Sequence, residues 1–146
     1  MALHTVLMSL GVIPFLVPVL FVLFPNYSPI ASVMMLFIIQ AYGVVILSFL
    51  SGIQWGLSLQ KNKPAFYTHY ILPLWSNIIA LAAFFAMLQH SDITTLIILI
   101  FGFISQLVAD MHFTRAGFYT RSYLGKRMII SLIVIIALIA VLHKIS

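Results

Sequence analysis

Gln40–Gln60 reads QAYGVVILSFLSGIQWGLSLQ, and it carries no charge from end to end. A bilayer crossing takes ~20 apolar residues as a helix, and this stretch is long enough. At about 100° of turn per residue, Gln40, Ser51, Gln54 and Ser58 fall within roughly 40° of one another. Ser48, Gly52 and Gly56 form a second stripe at i, i+4, i+8. A helix facing only lipid needs neither stripe. Small side chains let another backbone approach closely, and amides in hydrocarbon need partners. The stretch therefore reads as the central, protein-covered helix of a membrane bundle, with Ser48, Gly52 and Gly56 as its helix-packing face.

The rest of the chain agrees with a membrane class. Its 146 residues are 64% hydrophobic and 6% charged, where a soluble domain carries about 25% charged residues. So few charges cannot cover a water-facing surface. Five apolar runs predict an all-α membrane protein, a bundle of five transmembrane helices forming a single domain over 1–146. The helices are expected at about 3–24, 32–59, 71–88, 93–112 and 128–142. No internal repeat is visible, unlike many secondary transporters. The absence of cysteine excludes disulfides and thiolate chemistry.

The first run contains Gly11, Pro14 and Pro18, which predict a bent packing helix. It lacks the basic start and the small-x-small site of a signal peptide. Pro73 is expected in the first turn of helix three, where a missing N–H costs nothing, and Ala65–Tyr70 as an aromatic interfacial loop. Ser91 or Asp92 is placed to cap helix four. Helix five is almost uniformly Ile, Leu, Val and Ala, and reads as lipid-facing.

Loop charges predict orientation, since basic residues in short loops stay cytoplasmic. Lys61, Lys63, Arg115, Arg121, Lys126 and Arg127 share one side, against Lys144 on the other. The expected N-terminus is cytoplasmic and the C-terminus periplasmic, in the inner membrane of a bacterium. The net charge of +5 then reads as topology and as attraction to anionic lipids on the cytoplasmic side, through Arg115, Arg121, Lys126 and Arg127. It does not read as nucleic-acid binding.

With this topology, Gln54, Ser58, Ser76, Asn77, Gln106 and Asp110 gather in the cytoplasmic half as a polar cluster. Ionisable groups inside a membrane are functional candidates by default. The bland alternative is mutual satisfaction, with Asp110 at headgroup level and paired to Arg115, Arg121 or Arg127. No histidine pair has metal-ligand spacing, and no nucleophile–base set stands out, so neither a cofactor nor an enzymatic activity is expected.

LGVIPFLVP at 10–18, AYGVVILSFLSGIQWG at 41–56 and the Asp110-to-Arg127 segment together resemble the domain of unknown function 3429 family. These are small multi-pass membrane proteins with a eukaryotic branch named transmembrane protein 69. The resemblance implies a five-helix inner-membrane protein and a role in envelope or ion homeostasis. It supplies no catalytic residues. Two readings follow. One is a non-enzymatic membrane protein that supports the envelope, binding a membrane-protein partner or a second copy of itself. The other is a small transporter or proton- or cation-conducting bundle that uses the polar cluster.

Overall fold

A computed structural model describes residues 11–24, 29–59 and 67–146. Its helices are α1 (Ile13–Leu23), α2 (Pro29–Ser58), α3 (Tyr67–Leu88), α4 (Asp92–Arg115) and α5 (Arg121–Ile145). Four of them, α2 to α5, are long and apolar enough to cross a membrane. α1 has 11 described residues, or about 16 Å of helix, too short by itself for a ~30 Å hydrocarbon core. The expected start of that helix near Leu3 lies outside the described residues. Each helix packs on the next, and the pairs α2–α4 and α1–α5 close the bundle.

The central position of α2 follows from its inner face. Gln40, Ser51, Gln54 and Ser58 are all buried, together with Ile39 and Leu47. The close approach, however, uses other glycines than the expected ones. A Cβ built on Gly43 would lie 2.9 Å from Leu99 Cδ1, and one on Gly102 would collide with Leu47 and Ile79. Gly52 and Gly56 meet nothing within 4 Å, and Ser48 is exposed beside them. Among the described residues, Gly52 and Gly56 are therefore not packing positions, and Ser48 meets α3 only at the surface, through Asn77. Two small stripes lie on one helix, and the apolar side chains of α4 choose between them.

α3 begins at Tyr67, four residues before its expected start, so Pro73 falls inside the helix. Proline has no N–H, and the carbonyl four residues back loses its helical bond. That carbonyl belongs to His69, and Ser58 Oγ of α2 donates to it at 2.6 Å. Ser51 Oγ donates to the carbonyl of Pro73 itself. A neighbouring helix thus repairs the proline break, as a membrane bundle requires.

α5 begins at Arg121, seven residues before its expected start, with Thr120 Oγ1 accepting from the Tyr123 amide at 3.3 Å. Arg121, Lys126 and Arg127 are helical residues and not loop residues. Nor does α5 face lipid alone: Arg127, Ser131, Val134, Ala137, Leu138 and Val141 are buried. Uniform Ile, Leu and Val hide which side packs inward, because lipid and core are equally apolar.

Candidate functional site: two amide–carboxylate ties across the bundle

The chain has two acidic residues, Asp92 and Asp110, and they stand near opposite ends of α4. Each accepts a hydrogen bond from a glutamine of α2. Gln40 Nε2 donates to Asp92 Oδ1 at 2.8 Å, and Gln54 Nε2 donates to Asp110 Oδ1 at 2.9 Å. α2 and α4 run parallel, so one helix carries both amides and the other both carboxylates.

The Asp110 end is the more elaborate. Arg127 of α5 donates to Asp110 Oδ2 through Nε at 3.0 Å and Nη2 at 2.6 Å. Asp110 is 0% exposed and Arg127 6%, so the ion pair is buried inside the bundle. Arg127 therefore does not serve as the expected anionic-lipid contact. Arg115 and Arg121 remain exposed at this end, and Lys126 is half-buried. Thr114 Oγ1 donates to the Asp110 carbonyl at 2.8 Å, closing the last turn of α4. Gly117, at φ +80, turns the chain toward α5.

The expected polar cluster is assembled in part. Gln54 and Asp110 bond directly. Ser58 bonds the backbone at Gln54 and His69. Ser76 and Gln106 are buried on α3 and α4. Neither amide atom of Gln106 has a hydrogen-bond partner, nor does Gln54 Oε1, which makes this the least satisfied polar region described. Asn77 does not join. It lies on the outer surface, where its Oδ1 accepts from Ser48 Oγ at 3.0 Å. One residue of helical turn, about 100°, separates buried Ser76 from exposed Asn77.

Sequence reasoning missed His69. Read as part of a loop, it is 1% exposed in the first turn of α3. Its ring packs 5.1–5.2 Å from the rings of His112, Phe113 and Phe118. The available signal was the aromatic density of two segments, 67–70 and 112–123, and His69 of the first sits among the rings of the second. Burial pushes the Tyr119 phenol up, and the nearby Asp110 charge adds to this, so Tyr119 is a neutral hydroxyl. Among the described residues, no three His, Asp or Glu side chains converge as metal ligands would.

An apolar helical bundle with α2 at its centre, four membrane-length helices and a buried ion pair define a multi-pass membrane protein. The chain belongs to the family described as protein of unknown function DUF3429, which matches residues 2–143. It is also similar to transmembrane protein 69 of Xenopus tropicalis, 35% identical over 96 residues, 62% of this chain and 34% of that protein. The chain thus spans about a third of the length of that relative. No solved structure matches.

Proposed function

We propose that this chain is a non-enzymatic protein of a bacterial inner membrane that works by packing against another membrane helix, and that through this association it supports the envelope. The observation that carries the reading is the outer face of α2 and α3. Ser48 and Asn77 form a hydrogen-bonded polar pair that is exposed on the outside of the bundle. The uncovered Gly52 and Gly56 follow along α2. In lipid, an Asn amide lacks partners, and a small-residue track offers a second helix close approach. A second copy of the chain is the occupant that needs no further component.

The chain has no cysteine, so single-cysteine variants report without background. Gly52→Cys and Gly56→Cys are expected to oxidise to disulfide-linked dimers in membranes. Val33→Cys, exposed on α2 well away from the face, is expected to stay monomeric. Monomer throughout, or equal cross-linking from Val33→Cys, would remove the reading.

The conducting-bundle alternative has less support. The Gln40–Asp92 and Gln54–Asp110 ties are ~21 Å apart along α2. Between them lie Leu47, Leu96, Leu99 and Phe103, all buried and apolar. Asp110 is also engaged on both oxygens.

In the same proposal the basic end, with Arg115 and Arg121, faces the cytoplasm and anionic lipid. A reporter joined after Ser146 is then active only outside the cytoplasm. Activity only inside would reverse the orientation.

A further inference from the structure

Among the described residues, α2 and α5 do not form a closely packed pair. A half-open cleft of about 300 Å³ lies between them, at the lower end of volumes that hold small ligands. One wall is α2, with Tyr42, Ile46, Phe49, Leu50 and Ile53. Phe103 and the start of α1 also contribute. The other wall is α5, and it is different in kind. Tyr123, Arg127 and Ser131 recur there at i, i+4, i+8, one polar line facing an apolar wall. Ser131 is more than nine-tenths buried, yet its hydroxyl makes no hydrogen bond to a described residue.

We propose that this cleft seats one alkyl chain of an anionic membrane lipid whose headgroup lies at the α4–α5 turn. Three observations fix the occupant. The span from Tyr123 to Val134 is about 16 Å of helix, roughly half of a ~30 Å hydrocarbon core, which is the depth of one leaflet. Ile46, Phe49, Leu50 and Ile53 of α2, with Ile130 and Val134 of α5, give the cleft an apolar lining along this depth, as a chain requires. Charge then selects the headgroup: Arg115 and Arg121 are exposed at the α4–α5 end of the bundle, the end to which Arg127 of the cleft belongs, and the one carboxylate described there, Asp110, is already held by Arg127 and Gln54. The residual field at that end is positive, and anionic lipid is the membrane component it attracts. The cleft is centred on Ile46 and Ile53, about 100° around α2 from Gly52, with Phe49 between the two surfaces.

The full chain in nanodiscs of phosphatidylcholine, doped with phosphatidylglycerol bearing a photoactivatable group in its chain, tests the site. Adducts are expected at 46–53 and 127–134, at least tenfold above those at Leu74 and Leu81 of α3. Unlabelled phosphatidylglycerol should compete, and additional phosphatidylcholine should not. Ile130→Trp, which grows into the cleft, should lower the adduct tenfold, while Ile136→Trp on an exposed face should not change it. Even labelling of every lipid-facing helix would overturn the proposal, as would equal competition by phosphatidylcholine. Adducts between the cleft residues of two chains would overturn it in favour of a protein occupant. If Ile130→Trp does not fold, the map and the headgroup competition on the unaltered protein decide alone.

Discussion

The two ties of α2 to α4 use the same chemistry in two settings. Asp92 is exposed in the first turn of α4, where the helix dipole favours a negative charge and free amides stand nearby. One glutamine amide is enough. Asp110 is fully buried near the other end of the same helix, where burial penalises charge and the dipole gives no help. It takes an amide and an arginine from two other helices. The difference shows that the cation is required by place and not by residue type. It also makes the Asp110 end a three-helix junction, whereas the Asp92 end joins two.

The largest expected effect breaks or upholds this contrast directly. Asp110→Ala leaves Arg127 buried and unpaired, at a cost of about 3–5 kcal/mol. Asp92→Ala loses a single part-buried hydrogen bond and leaves the buried Gln40 amide without it, about 1–3 kcal/mol. Thermal unfolding in detergent should separate the two, and equal losses would erase the distinction. The double variant Asp110→Leu/Arg127→Met removes both charges and is expected to recover most of the stability, because an apolar pair is often neutral in place of a buried ion pair. A double variant no better than Asp110→Ala would mean that the pair does more than cancel its own charges.

The region between the ties sharpens the comparison at smaller scale. Gly102 closes α4 on Leu47 and Ile79, so Gly102→Ala should cost ~1–3 kcal/mol through overpacking. Gly52→Ala, with nothing near it, should stay within about 0.5 kcal/mol for the isolated chain. Matching unfolding temperatures for the two would show that the glycine layer does not set the helix spacing.

The smallest effects belong to the turns beside each tie. Gly117 at the Asp110 end has φ +80, and His90 at the Asp92 end has φ +55. A side chain in this left-handed region costs roughly 1 kcal/mol. Gly117→Ala should therefore destabilise, and His90→Gly should stabilise by up to that amount. The same sign for both in chemical unfolding would refute the assignment of strain.

Much of the Asp110 end was legible. Gln54 and Asp110 stood out because amides and carboxylates are costly in hydrocarbon, and Arg127 was among three named partners. What failed was choice among equals. Asn77 and Ser76 are neighbours of similar polarity, and only packing tells which faces in. Gly43 and Gly102 gave no more signal than Gly52 and Gly56. Helix ends moved by four and seven residues at 67 and 121 because basic and aromatic residues near an interface are compatible with both helix and loop.

By itself the sequence determined an all-helical membrane protein, a central helix with a polar inner stripe, and a basic end opposite a nearly uncharged one. These follow from transfer free energies and helical period, which are properties of residues and their spacing. Tertiary structure decided which of three arginines meets Asp110, that Ser58 caps the carbonyl freed by Pro73, and which glycines are covered. It also decided that a cleft remains between α2 and α5. These depend on how four apolar surfaces rotate against one another, and in a chain where core and lipid have the same polarity, only packing fixes that rotation.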